Sequence, residues 1–445
     1  MIAKTFPRGG AEIPHRKEAT EEKPIVTLAP PAQVVIPLRQ HIGAPCEPVV
    51  SVGDYVKMGQ IVGDSQQFVS APVHASVSGK VTAIEERVLL NGTKCLAVVI
   101  ENDGKDEEYT MPTRPVEKMS AEAIRETVRN AGIVGMGGAG FPTHIKLNPP
   151  KAVDTVIING AECEPYLTCD HRLMVERTEE LVRGTKAIMK AAGAQHGIIA
   201  IEANKPDAIA AVEEAIQDEQ GLSVSVLQVR YPQGAEKQLI KAVVNREVPS
   251  GKLPAEVGCI VSNVHTAISI DAALTYGKTS YERVVTVSGG AVVDPRNILV
   301  RIGTPLKELM AFCGGTLGEP AALVGGGPMT GPPVESLDAP VVKNLSGILA
   351  LTQEEAGFDE NRPCIRCARC VNACPMGLLP LSLGDLSNHD RFAEAAQIGL
   401  MDCIECSLCS FVCPSKRALV TWIKKGKAGW TAQRRAASAT GEKAV

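Results

Sequence analysis

The chain has 445 residues, 44% of them hydrophobic, and a formal net charge of −4, which suits three or four globular domains and excludes general disorder. The slight acidic excess and an aromatic share of only 3% argue against a nucleic-acid surface built on basic patches or stacking rings. No apolar run of about 18–20 residues and no charged start followed by an apolar middle occurs, so neither a membrane span nor export is expected.

Residues 1–24 carry charge, Gly and Pro without periodicity and read as an extended arm. From 25 to 102, short β-rich segments at 30–37, 48–54 and 79–84 are bounded by turn residues. The stretch 52–60 (VGDYVKMGQ) and the later APV at 71–73 with SGKV at 78–81 resemble the two halves of a biotinyl- or lipoyl-type barrel-sandwich domain. Such carriers present a lysine on the hairpin between the halves. Here the hairpin reads Asp64-Ser65-Gln66-Gln67-Phe68, so an architectural or docking module is expected.

After a polar linker at 103–118, Ser120 caps a predicted helix over 121–131, closed by Gly132. Then comes Gly135-Met136-Gly137-Gly138-Ala139-Gly140-Phe141, where missing side chains let backbone N–H groups approach an anionic or planar ligand. A helix and not a strand precedes this loop, so it fails the Rossmann fingerprint. Lys146 lies just beyond it. Residues 154–159 read as a buried strand, with Asn159, Glu162 and Glu164 at its carboxyl end, where open α/β sheets collect ligands. The pattern then alternates: helix 171–192, strand 197–202, helix 206–218, strand 222–229, strand 258–263 and helix 266–276. This predicts a doubly wound α/β domain over 119–278. Its further loops carry Glu236, Asn263 and Thr266.

From 279 to 335, strands at 284–287, 298–301 and 322–324 surround a helix over 306–313, consistent with a small β-grasp domain. The segment from 336 leads into Cys364, Cys367, Cys370 and Cys374, followed by Pro375, and a near copy at Cys403, Cys406, Cys409 and Cys413 with Pro414. Each run is C-x2-C-x2-C-x3-C-P, the spacing that holds 4Fe–4S clusters in two-cluster ferredoxins, where the fourth cysteine serves the other cluster. The first cluster is therefore expected on Cys364, Cys367, Cys370 and Cys413, the second on Cys403, Cys406, Cys409 and Cys374. Structural zinc sites usually split two cysteine pairs by a longer loop and fit this crowding poorly. The other six of 14 cysteines are scattered, as befits buried thiols in a reducing cytosol. The cluster domain is placed at 336–425 and a basic tail at 426–445; a solvated end is the more frequent reading of such a tail, an anionic membrane surface the alternative.

Clusters exchange electrons singly whereas a nicotinamide moves a hydride, so a chain joining them needs a cofactor able to do both, such as a flavin. The segments 135–146, 159–165 and 263–266 resemble the FMN- and NADH-binding segments of the flavoprotein subunit of respiratory complex I, and the whole architecture resembles the C subunits of Rnf complexes. That resemblance covers nearly the whole chain except the last thirty or so residues. It implies a multidomain α/β protein: barrel-sandwich, FMN/NADH-binding, SLBB-like β-grasp and ferredoxin-like two-cluster domains. It implies FMN lined by Gly135, Gly137, Gly138 and Ala139, Phe141 near the nicotinamide, and Lys146 near the isoalloxazine or phosphate. Asn159 and Asn263 would bond the flavin, with Glu162 and Thr266 in the same site. Glu164 and Glu236 would contact flavin or dinucleotide. The chain departs from the complex I pattern at Ala161 and Ala235, where that pattern commonly has acids. The implied activity is ion-translocating ferredoxin:NAD+ oxidoreduction, with NAD(H), the membrane subunits and the ferredoxin-linked iron–sulfur subunits as partners, peripheral to the cytoplasmic face. A flavin/iron–sulfur cobalamin reductase and a non-catalytic electron-wire scaffold are the competing readings.

Overall fold

The computed structural model describes residues 3–357 and 361–440. Residues 3–25 form no regular element, yet they are a packed strap. Phe6 is fully buried beneath the Arg230 guanidinium, Lys17 and Thr20 are buried, and Lys4 and Ala11 make single bridges to Leu227 and Tyr231.

The first strand, β1 (Val26–Thr27), belongs to a later domain. Then β2 (Gln33–Pro37), β3 (Glu47–Pro48), β4 (Tyr55–Val56), β5 (Ile61–Asp64), β6 (Val73–His74), β7 (Gly79–Val88) and β8 (Lys94–Asn102) make two facing antiparallel sheets, ordered β2-β8-β7-β4 and β3-β5-β6. Alternate residues such as Val34, Ile36, Val98 and Ile100 fill the space between them. The hairpin between β5 and β6 ends in Phe68, 79% exposed, and presents no lysine.

The next unit is a parallel sheet wrapped by helices. In chain order it holds α1 (Ala121–Asn130), α2 (Thr143–Lys146), β9 (Thr155–Gly160), α3 (Cys169–Glu176), α4 (Thr178–Ala192), β10 (His196–Glu202), α5 (Pro206–Ala215), β11 (Leu222–Leu227), α6 (Glu236–Val244), β12 (Cys259–Asn263) and α7 (Val264–Tyr276). The sheet order is β11-β10-β9-β12, all parallel. Val156 and Ile158 face the core shared with α1, α4, α5 and α7, whereas Ile157 faces α6, so the strands are buried on both sides. The helix expected over 171–192 is two helices broken at Arg177. The Thr178 hydroxyl donates to the Met174 carbonyl there, a side-chain bond that competes with the helical ladder. Helix α6, which the sequence pattern did not mark, lacks a side-chain N-cap.

The β-grasp unit is a mixed sheet ordered β1-β14-β13-β16-β15, with β13 (Glu282–Ser288), β14 (Arg296–Arg301), α8 (Leu306–Phe312), β15 (Ala322–Gly325) and β16 (Gly347–Leu351). It draws β1 from the stretch expected in the barrel-sandwich domain and β16 from the stretch expected in the cluster domain. Both are short apolar segments whose partners are distant in sequence, and local pattern does not say which sheet they join.

A capped turn, α9 (Gln353–Ala356), precedes the helical unit α10 (Arg369–Ala373), α11 (Pro380–Asn388), α12 (Phe392–Gln397), α13 (Leu408–Phe411) and α14 (Leu419–Thr440). The basic tail expected from 426 is continuous with α14. A Cβ on Gly426 would lie 2.1 Å from the Ser387 hydroxyl and one on Gly429 2.3 Å from the Phe392 ring, and Trp430 packs on the small core below. The helix therefore docks through its glycines, which makes the first turns of that tail part of the domain.

A glycine inside a helix usually costs about 1 kcal/mol relative to alanine, and Gly184 in α4 has a packing reason. A Cβ there would sit 2.0 Å from the Ala267 carbonyl oxygen of α7. Gly184→Val is expected to destabilise the α/β domain by about 1–3 kcal/mol, seen as a fall of several degrees in its thermal transition.

Candidate functional site

The strand order reverses between β9 and β12, and their carboxyl ends open the crevice where sheets of this kind hold ligands. Three segments converge there: the turn 161–167 after β9, Asn263 at the end of β12, and the glycine loop. The loop is pinned at both sides. The Met136 N–H donates to Thr266 Oγ1 at 3.0 Å, the Gly135 N–H to the Phe141 carbonyl at 2.9 Å, and Asn344 Nδ2 to the Gly138 carbonyl at 3.0 Å. Between the pins, Gly137, Gly138 and Ala139 are exposed, with Phe141 half-buried. A Cβ on Gly137 would fall 2.7 Å from the Asn263 amide nitrogen, while one on Gly138 would meet nothing within 4 Å. The loop thus offers bare backbone to the crevice, a cradle that a side chain at 137 would close.

Asn263 caps α7, its Oδ1 accepting from the His265 and Thr266 N–H groups, and its Nδ2 donates to Asp170 Oδ2 at 2.6 Å. Desolvation, then the neighbouring Glu162 carboxylate, pushes the Asp170 carboxyl up to about 7 even though the Asn263 bond opposes this. Lys146 donates to Glu236 at 3.0 Å and to the Val261 carbonyl at 2.8 Å, setting a partly exposed ion pair at the crevice. Asn159 donates to the Gly234 carbonyl at 2.8 Å and accepts from the Ala161 N–H, joining two of the loops.

The turn 161–167 rests on two buried lysines. Lys17 of the strap donates to the carbonyls of Glu162, Glu164 and Leu167, and Lys205 to that of Ala161 at 2.8 Å. Glu162, at φ +45°, accepts from the Asp170 and His171 N–H groups and caps α3. Glu164 accepts from the Met329 N–H at 3.0 Å and from the Thr330 hydroxyl, so it engages the β-grasp unit, and burial raises its pKa. Sequence reasoning named Glu162 and Glu164 but missed Lys17, Lys205 and Asp170. The two lysines lie 145 and 44 positions from the first carbonyls they hold, and no local signal marks such a partnership.

The two cysteine runs share one backbone conformation. Arg366 and Ala368 have φ of +55° and +60°, and Glu405 and Ser407, at the matching places, +57° and +63°. Non-glycine residues at positive φ cost of order 1–3 kcal/mol each. Here the arrangement aims N–H groups inward: Arg366 N–H to Cys364 Sγ at 3.3 Å and Glu405 N–H to Cys403 Sγ at 3.4 Å, as an anionic centre requires. A cavity of about 210 Å³ is lined by Cys364, Cys367, Cys370 and Cys413. In the second group, burial and then the neighbouring thiols Cys403, Cys406 and Cys374 push Cys409 up to about 12. The residues present therefore fit two cages with exchanged fourth members.

Tyr231 joins these parts. It is buried, its hydroxyl donates to the Cys406 carbonyl at 2.8 Å, and it packs with Cys163, Ala373 and Leu408. Cys163 Sγ in turn accepts from the Gly234 N–H at 3.4 Å.

Fold and site define an iron–sulfur redox protein with a ligand crevice at the switch point of an α/β sheet. Family models agree along the chain: the RnfC barrel sandwich hybrid domain at residues 4–105, the Nuo51 FMN-binding domain at 128–272, the SLBB domain at 284–333 and the 4Fe–4S dicluster domain at 363–417. The C subunit of the Na(+)-translocating ferredoxin:NAD(+) oxidoreductase complex of Acetobacterium woodii is 48% identical over 432 residues, 96% of this chain and 98% of that protein. Its counterpart in the proton-translocating ferredoxin:NAD(+) oxidoreductase complex of Clostridium ljungdahlii is 46% identical, covering 95% and 93%. The fold also resembles the crystal structure of an NAD+-reducing [NiFe]-hydrogenase in the H2-reduced state, with a TM-score of 0.51 at 19% identity, covering 74% of this chain and 68% of that one. The chain belongs to the family of C subunits of ion-translocating ferredoxin:NAD(+) oxidoreductase complexes.

The raised Asp170 pKa has a definite sign. The folded state holds this proton up to about pH 7 whereas an unfolded Asp releases it near 4, so stability falls as pH rises between those values. Asp170→Asn is expected to flatten that fall, measured by denaturant titration between about pH 4 and 7.

Proposed function

We propose that this chain is the peripheral electron-transfer subunit of a membrane complex that couples ferredoxin:NAD+ oxidoreduction to Na+ or H+ transport, working at the cytoplasmic face with the other Rnf subunits. The observation that carries this reading is the arrangement around Tyr231: one short loop reaches the cysteine cage through Tyr231, whose hydroxyl donates to the Cys406 carbonyl, and the ligand crevice through Gly234, whose carbonyl accepts from Asn159. Among the described residues no helix is long and apolar enough to cross a membrane, in keeping with a peripheral place.

FMN, when bound, supplies exchange of electron pairs with a nicotinamide on one side and single electrons on the other. The chain's own groups have separable tasks. Gly135, Gly137, Gly138 and Ala139 offer backbone to the flavin, and Phe141 flanks the opening. Lys146, held by Glu236 and the Val261 carbonyl at the crevice, balances negative charge. Asn159 and Asn263 fix the loops that shape the crevice, and Thr266 holds the Met136 N–H. Asp170 keeps a proton near neutrality beside Asn263. Glu162 and Glu164 position the turn, one through α3 and the other through the β-grasp unit. Glu236, partly exposed at the crevice, is the acid placed to meet NAD(H). Cys364, Cys367, Cys370 and Cys413 would hold one 4Fe–4S cluster, and Cys403, Cys406, Cys409 and Cys374 the other.

Two experiments test this. Gly137→Val should lower flavin per chain by about tenfold or more, the loss that a clash of roughly 1.4 kcal/mol produces, with iron content unchanged; wild-type flavin content would refute the cradle. Exchange of the fourth ligands predicts that Cys413→Ser perturbs the paramagnetic signal of the cluster held by Cys364, Cys367 and Cys370, and Cys374→Ser the other. The opposite pairing of signals would overturn it.

A further inference from the structure

The glycine loop has a second neighbour besides the sheet crevice. A cavity of about 490 Å³ opens beside Ala139, at the junction of three domains. Its walls are the loop after β2 with Arg39 and Ile42, the β7–β8 hairpin with Leu90 and Asn91, and the β-grasp unit with Asn344 and Leu345. Its size is within the range of small-molecule sites, and so is its make-up, apolar walls with a few polar groups.

The walls are preformed. The Lys343 N–H donates to Gln40 Oε1 at 3.1 Å, the Glu335 N–H to the Leu90 carbonyl at 3.0 Å, and Asn344 Nδ2 to the Gly138 carbonyl. A Cβ on Gly140 would lie 3.2 Å from the Gln40 carbonyl oxygen, and one on Gly325 2.4 Å from the Leu90 side chain, so both barrel-sandwich segments close directly onto their neighbours. None of the lining residues is acidic, and Arg39 is the one permanent charge among them. His41 also lines the cavity, but burial holds its pKa below the usual value, and its ring is engaged by the Ile42 carbonyl and the Ala71 N–H. Arg39 is exposed and forms no ion pair among the described residues. Glu86 on β7 and Glu335 beside Gly92 border the hairpin without lining the cavity.

A dinucleotide is two nucleotides joined by a pyrophosphate. With its nicotinamide at the flavin, its other half must leave the crevice. The surface it meets across Ala139 offers apolar walls for a purine and a free guanidinium for phosphate. We propose that this three-domain cavity seats the adenosine diphosphate half of NAD(H), with Arg39 of the barrel-sandwich domain on the phosphates. The barrel-sandwich domain, which has no carrier lysine, thereby becomes part of the dinucleotide site. This rests on the reading of the glycine loop above and adds to it what holds the half of the substrate that does not react.

The test uses the full protein loaded with FMN and clusters, ADP-ribose as the distal half alone, and reduced nicotinamide mononucleotide as the reacting half alone. By calorimetry, ADP-ribose should bind the wild type and compete with NAD+. Arg39→Ala should weaken ADP-ribose and NADH by about tenfold or more, as loss of a charge-assisted phosphate contact does, and Arg39→Lys by less. Ile42→Asp, which sets a carboxylate in the apolar wall, should weaken both as well. Flavin bleaching by the mononucleotide should stay at the wild-type level in all three, and Arg114→Ala, on the exposed linker, should change nothing. Iron and flavin content are read on every variant. No flavin in the wild type, or no bleaching of it by NADH, would sink the reading of the glycine loop itself. Bleaching by NADH without ADP-ribose binding, unchanged affinity in the Arg39 and Ile42 variants, equal loss with dinucleotide and mononucleotide, or equal weakening by Arg114→Ala would overturn only the distal seat.

Discussion

The seating of the turn 161–167 on the ammonium groups of Lys17 and Lys205 is the constraint from which the rest of the site follows. Both lysines are almost completely buried, and a buried ammonium is tolerated only when oxygens surround it. The turn supplies those oxygens from its own backbone, so its side chains are free to face elsewhere. Glu162 caps α3, Cys163 packs with Tyr231 against the cluster unit, and Glu164 binds the β-grasp unit. Three consecutive residues thus fix three neighbours relative to the crevice.

Lys343 repeats the device on the other side of the glycine loop. It is fully buried and donates to the carbonyls of Pro72 and Gly132, which ties the β-grasp unit, the barrel-sandwich hairpin and the end of α1 together. Burial depresses its pKa to about 7. The glycine loop follows Gly132 directly, so its entry is anchored to two other domains before it reaches the crevice. Electron transfer between centres depends on their spacing, and a frame held by buried charges at several junctions resists the relative domain motion expected of weaker interfaces.

What the sequence made legible was chemistry carried by local spacing. The cysteine runs, the glycine loop and the strands carrying Asn159 and Asn263 are patterns within a few residues, and those two strands lie close to the bounds expected for them. Nonlocal features escaped. The β1 and β16 segments join the β-grasp sheet because of partners far along the chain, and α3 starts at Cys169 because Glu162 caps it from across a turn. The 1–24 stretch shows no periodicity because its contacts alternate among domains and not between two faces of one element. The basic tail read as a solvated end from its charge, yet Gly426 and Gly429 are what let α14 approach Ser387 and Phe392.

The strap also has a consequence for biosynthesis. Domains fold as they emerge, amino-terminal parts first, but this segment contacts Leu227, Tyr231 and finally Ala373, whose carbonyl receives the Gly10 N–H. Strap residues therefore find their last binding place only after Ala373 has been translated, leaving that region uncovered until then. Closure of the strap over Ala373 is in this way made a late event by chain connectivity alone.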